Sequence, residues 1–295
     1  MPNYVAFLVE YSYFCSMKLI ADSGSTKTDW VLADGADVRA RLQTQGINPF
    51  HQSEDDILAI LRVELLPQLT GLPAPVSRLH FYGSGVRPEL EPLMTSLLQQ
   101  VFPQAAVEAH GDLLGAARAV CGRSEGIACI IGTGANSGLY DGLQIVQNTP
   151  PLGYILGDEG SGAVLGRHLL NALYKGLLPV ALREAFEQQT GLQMADVISR
   201  VYRQPMANRF LASLSPFIHE HLDVPKLSQM VVGCFRDFFS RNVAQYQRTD
   251  LPVGFVGSIA HHFREQLSQA AAAEGFTVGT VMRSPIDGLV AYHQS

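Results

Sequence analysis

A disulfide framework and a metal-binding cysteine cluster are the first things this sequence lacks. Its 295 residues carry four cysteines, Cys15, Cys121, Cys129 and Cys234, with no Cys-x-x-Cys pair. That scatter argues against a zinc ribbon or a stapled secreted fold and fits a reducing, cytoplasmic setting. The nine histidines are dispersed as well, and His261-His262 reads as an exposed helical turn, so no three-ligand metal cluster is expected. Runs of lysine or arginine are also missing: 21 basic against 27 acidic residues give a net charge of −6. With no basic face to meet a phosphate backbone, nucleic acid is not an expected partner. No apolar run approaches the roughly 18 residues that a membrane helix needs, so no membrane is expected either. A Gly-x-x-x-x-Gly-Lys-[Ser/Thr] phosphate loop is absent, which excludes the simple P-loop reading.

What is present is a globular composition, 47% hydrophobic and 16% charged, in a chain long enough for one large or two medium domains. Residues 1–16 stand apart. They lack a basic start and contain Glu10 and three tyrosines, which makes a poor signal peptide, whereas Met17-Lys18-Leu19-Ile20 reads as an ordinary start running into a strand. The expectation is that 1–16 is a non-native or accessory leader.

From Lys18 onward the pattern alternates strand and helix. Leu19 to Ala21 and Trp30 to Ala33 read as strands, with a turn at Asp34-Gly35. A helix is expected from an N-cap at Ser53, a strand over Arg78 to Tyr82, and a helix opening at Pro88. Ile127 to Ile131 is a buried-type strand, and a second strand ends at Asp141-Gly142. Helices dominate from Gly160 to about residue 247, then a strand at Val253 to Val256, a helix to Gly275, a strand at Thr277 to Met282 and a last helix from Pro285. The segment from Ile20 to Asp34-Gly35 matches the segment from Ile130 to Asp141-Gly142 in kind: buried strand, hydroxyl-glycine turn, strand, acidic turn. Such a repeat suggests a duplicated architecture.

The first of those turns has the parts of a phosphate site. In Asp22-Ser23-Gly24-Ser25-Thr26-Lys27-Thr28, Gly24 admits close backbone approach, while amides and hydroxyls can surround oxyanions. Lys27 either adds a charge or points to solvent, and Asp22 suits a Mg²⁺ held through water. The second turn, Gly132-Thr133-Gly134, offers a similar cradle from elsewhere in the chain. Gly254-Phe255-Val256-Gly257-Ser258 joins a strand to a helix, which fits either an adenosine against backbone or close strand–helix packing. Asp112 reads as a helix N-cap or a base, and Asp158-Glu159 as capping or as carboxylates facing hydroxyls.

The order of these pieces resembles the N-acetylglucosamine kinase branch of the BadF/BadG/BcrA/BcrD-type ATPases, in the sugar kinase, heat-shock chaperone and actin superfamily. It covers the chain from Met17 to about Ala291 and rests on DSGSTKTDW at 22–30, GINPF at 46–50, HGDLLGA at 110–116, GTGANSG at 132–138 and GDEGSG at 157–162, with GFVGSIA at 254–260. The resemblance implies an α/β chain of the actin-like ATPase (ribonuclease H-like) fold. Two similar domains, 17–117 and 118–284, would flank a central cleft, with the helix at about 285–295 packing back on the first. It implies ATP and Mg²⁺ as cofactors, phosphoryl transfer to the 6-hydroxyl of an amino sugar, and a homodimer.

By position it also implies Asp112 as catalytic base, and Asp22, Gly24, Ser25, Thr26, Lys27, Thr28, Gly132, Thr133, Gly134, Gly257 and Ser258 around the nucleotide. Asn48, Ser84, Gly134, Asn136 and Asp158 would lie at the sugar, with Glu159 as support. Two alternatives stand beside this reading. One is an ATPase activator of a 2-hydroxyacyl-CoA dehydratase, whose iron–sulfur cluster would draw on Cys121 or Cys129. The other is a sugar or nucleotide sensor without turnover.

Overall fold

The structure is a computed structural model that describes residues 17–24, 26–35, 37–71 and 75–294. The leader expected over 1–16 and Ser25 of the first phosphate turn lie outside the described residues. The chain forms two compact units, one ending at Ala109 and the other beginning at His110.

The first unit is built on the sheet order β3-β2-β1-β4-β5, from β1 (Met17–Ser23), β2 (Lys27–Asp34), β3 (Asp37–Gln45), β4 (Val76–Gly83) and β5 (Ala106–Gly111). The first three strands form an antiparallel meander, and β4 then runs parallel to β1. A central strand covered on both faces must be apolar along its length, and Met17, Leu19, Ile20 and Ala21 are fully buried. The expected cap at Ser53 is a capping box: the Asp56 amide donates to Ser53 Oγ and the Ser53 amide to the Asp56 carboxylate, each at 3.2 Å. The next helix, Glu91–Val101, begins later than Pro88 suggested. Pro88 sits in a tighter turn, closed by the Leu90 amide on the Arg87 carbonyl at 2.8 Å, and Leu90 takes the cap position.

The second unit repeats the plan. Its strands are β6 (Gly126–Ile131), β7 (Ala135–Tyr140), β8 (Ile145–Thr149), β9 (Pro252–Val256) and β10 (Thr277–Met282), in the order β10-β9-β6-β7-β8. Again three strands meander, and the fourth, β9, runs parallel to the first. The duplication read from two turns therefore extends to whole sheets. The halves differ in their insertions: between β8 and β9 this unit places a helical segment including Gly162–Tyr174 and Pro225–Arg241. Phe186, Phe217, Phe235, Phe238 and Phe239 from that segment pack with Phe255 of β9 in one core.

The helix Asp112–Cys121 lies against the second sheet. The boundary expected between 117 and 118 falls inside it. The C-terminal helix Ile286–Gln294, expected to return to the first domain, packs on this same helix, with the guanidinium carbons of Arg118 and Arg123 at 5.2 and 4.6 Å from the Tyr292 ring centre. Among the described residues no helix is long and apolar enough to cross a membrane.

Candidate active site

The first turn is held from beneath by a buried hydroxyl pair. Ser23 and Thr28 face each other across the β1–β2 register with their oxygens 2.7 Å apart. Ser23 Oγ also donates to the Ile47 carbonyl and accepts the Ile47 amide, both at 2.9 Å, and Thr28 Oγ1 donates to the Gln45 carbonyl at 3.0 Å. These bonds tie the turn to the GINPF segment, which the sequence alone gave no reason to join to it. Gly24 and Thr26 are exposed at the tip, with the Gly24 amide on the Lys27 carbonyl at 3.0 Å. The Lys27 ammonium lies 2.8 Å from Asp29, so part of its charge is answered locally. Asp22, half-buried at the end of β1, is an oxygen donor of the kind Mg²⁺ accepts.

Asn48 and Ser84 come together in the first unit. Asn48 Oδ1 accepts the Phe50 amide at 3.0 Å, and a Cβ at Gly85, whose φ is +79°, would lie 2.0 Å from that oxygen. Only glycine fits there. The Ser84 amide donates to the Ser23 carbonyl at 2.8 Å, linking this pair to the phosphate turn.

In the second unit the Gly132-Thr133-Gly134 turn receives the start of helix Gly162–Tyr174. The Gly162 amide donates to the Gly132 carbonyl at 2.8 Å and the Ala163 amide to the Thr133 carbonyl at 3.1 Å. Asp158 is buried with φ +52°, a left-handed conformation that aspartate tolerates, and its carboxylate accepts the Ala135 amide at 3.2 Å. Burial raises its pKa, the Ala135 bond opposes that, and Glu159 adds to it. Glu159 reaches the Asn242 side-chain amide at 3.1 Å and Arg241 at 3.6 Å, which is structural support. Asn136 Oδ1 accepts from the Ser137 amide and the Asn148 side chain, at 2.9 and 2.8 Å.

Asp112 is not the cap of its helix. Gly111 holds that position in an extended conformation, and Asp112 is the first helical residue, half-buried. Burial raises its carboxyl above the ordinary aspartate value, against hydrogen bonds from the Leu113 amide and its own.

The third glycine cluster shows the close strand–helix packing offered for it. A Cβ at Gly254 would meet Val120 Cγ2 at 2.4 Å, which is close strand–helix packing. Gly257 has φ +126°, and a Cβ there would lie 2.2 Å from the Ile131 carbonyl oxygen at the end of β6. Ser258 opens a cavity of about 340 Å³ lined also by Ser215, Pro216, His219, Ile259, His262 and Phe263. This cavity is beside the second turn, because Ile259 Cδ1 would stand 3.2 Å from a Cβ on Gly162, the residue bonded to Gly132. His219 gave no signal in the sequence. Cys121 and Cys129 are pushed the other way from reactivity: burial raises Cys121 to about 11 and lifts Cys129 well above the ordinary thiol value. Among the described residues no group of three potential metal ligands assembles.

No protein-family model matches the chain, and no curated protein matches it in sequence. Solved structures do. Two repeated five-stranded sheets with a glycine turn between the first strands of each make an actin-like fold, and sugar kinases recur among the matches. A Porphyromonas gingivalis protein with the provisional name N-acetylglucosamine kinase is 51% identical, over 94% of this chain and 99% of that one, with a TM-score of 0.91. The chain belongs to this N-acetylglucosamine kinase family. A Chromobacterium violaceum protein with the same provisional name is 18% identical over 94% of this chain and 98% of its own, at TM-score 0.63. A ROK-family glucokinase from Streptomyces griseus, solved with glucose and AMPPNP, is 12% identical over 94% and 98%, at 0.56. These last two share the fold.

Proposed function

We propose that the protein transfers the γ-phosphoryl group of ATP to the 6-hydroxyl of an amino sugar, with N-acetylglucosamine the preferred acceptor. The observation that carries this reading is Asp112, a carboxylate in the first turn of a helix that does not use it as a cap, in a chain 51% identical to the P. gingivalis protein. Phosphoryl transfer has a loose transition state, so the protein's task is to align donor and acceptor and to answer charge. Asp112 would orient the 6-hydroxyl and take its proton late in the transfer. Asn48, Ser84, Gly134, Asn136 and Asp158 would hold the sugar. The amides and hydroxyls of Gly24 to Thr28 and Gly132 to Gly134 would meet the phosphates.

Mg²⁺ fits the donors present. A cation that keeps several waters and takes the rest of its oxygens from phosphate needs one protein carboxylate, and Asp22 supplies one. When bound, it would neutralise phosphate charge. The base would enter the cavity at Ser258. His262→Ala is expected to raise the KM for ATP by roughly five- to tenfold with kcat little changed, as loss of one aromatic contact predicts. An unaltered KM in steady-state kinetics would remove the base from that cavity.

The reading as a whole is tested by ADP release across a panel of hexoses and hexosamines. Release that depends on N-acetylglucosamine is expected. Sugar-independent hydrolysis would favour the dehydratase-activator alternative instead.

A further inference from the structure

Phe50 is 52% exposed, though its backbone is anchored to the half-buried Asn48. Its ring does not stand alone. The Arg87 guanidinium carbon lies 4.3 Å from the ring centre, and His51 meets the ring edge-on at 4.9 Å. Among the described residues Arg87 has that ring as its side-chain partner and no carboxylate. A guanidinium on an aromatic face is attracted by the ring quadrupole, so each side chain limits the other's freedom. Both come from the segments that carry Asn48 and Ser84, within the first unit: Phe50 follows Asn48 by two residues, and Arg87 donates its amide to the carbonyl of Gly85 at 3.1 Å.

We propose that Phe50 and Arg87 form the surface that selects the acceptor, the ring meeting the acyl group on the sugar's 2-nitrogen and the fixed cation rejecting sugars whose 2-nitrogen is a protonated amine. This rests on the kinase reading, because Asn48 and Ser84 bring the sugar to this patch only on that reading. An unsubstituted 2-amino group is largely an ammonium ion below about pH 7. Beside an unanswered guanidinium it meets like charge. Acylation removes the charge and adds a methyl that the exposed ring can cover, so one chemical change converts repulsion into contact. Two like charges about 7 Å apart near a protein surface, screened by physiological salt, differ from a neutral pair by roughly tenfold in binding.

The test compares N-acetylglucosamine with glucosamine in mildly acidic buffer, as kcat/KM, for the wild type, Arg87→Gln and Phe50→Ala. The wild type is expected to prefer the acylated sugar. Arg87→Gln should narrow that preference by about tenfold through a lower KM for glucosamine. Phe50→Ala should narrow it from the other side, through a higher KM for N-acetylglucosamine with kcat little affected. Added salt should weaken the discrimination of the wild type and leave that of Arg87→Gln unmoved. Both side chains are exposed, so melting temperatures close to wild type are expected and serve as the folding control. A preference unchanged in both variants overturns the proposal and leaves the kinase reading intact. Absence of sugar-dependent ADP release from the wild type with every acceptor overturns the kinase reading itself.

Discussion

Asp112→Asn is expected to abolish most sugar-dependent ADP release and, in the same sample, to raise the melting temperature. A positioned base contributes typically 10²–10⁴-fold, so a loss of about that size in kcat is the expected outcome. The stability arm follows from the direction of the pKa shift. Burial raises the Asp112 carboxyl in the folded chain, so the folded state binds this proton more tightly than the unfolded state does. Above the folded pKa the ionised group therefore opposes folding. As pH falls through that value toward the unfolded one, the opposition is relieved.

Asparagine keeps the shape and removes the charge, so the gain should appear at neutral pH and shrink in acid. The same shift sets the acidic limb of the wild-type rate profile above the ordinary carboxylate range near 3.9. Thermal scans and ADP assays on one preparation check both arms. Equal turnover by the two proteins would take Asp112 out of the reaction.

Gly257→Ala is expected to lower the melting temperature by about 10 °C, a large effect for one methyl group. Two costs act together. A φ of +126° is open to glycine and strained for any other residue, and the added carbon would stand 2.2 Å from the Ile131 carbonyl oxygen. Backbone strain of this kind costs about 1–3 kcal/mol. The carbonyl belongs to a central strand and cannot move without breaking its ladder, so further cost comes from overpacking, also about 1–3 kcal/mol. For a chain of this size each kcal/mol corresponds to roughly 2–4 °C. Differential scanning fluorimetry measures it directly, and a shift under two degrees would mean that the β9 end adapts.

The central strands were legible because they sit between neighbours on both sides and must be apolar. The runs at Leu19, Ile127 and Val253 announced β1, β6 and β9. Of the edge strands, β10 was read at its observed bounds, Thr277–Met282, and the others were not. β3, with Asp37, Arg39, Arg41 and Gln43 pointing out, carries too little apolar character to stand out, and β8 is mostly exposed. Each exists because a partner strand offers its hydrogen bonds, and that partner is not a local property of the sequence. The same reason hid β5.

Capping chemistry read well at Ser53, where a hydroxyl is the cap, and missed Ser161, the cap that Asp158-Glu159 had been offered for. It misread the start of the next helix after β4, because proline suits a preceding turn as readily as a first helical position. Asp112 fell between these cases. An aspartate after glycine looks like a cap, and the extended Gly111 moved it one residue inward. Phe50 and Arg87 lie far apart in the chain, and no periodicity joins residues on two loops.

The helix that begins with Asp112 also bears the chain's last helix along its flank. What happens at the C-terminal end is thus mechanically close to the proposed reaction centre, though far from it in sequence. An affinity tag fused there, or a protease nicking that end, acts on the helix that carries the carboxylate proposed as base.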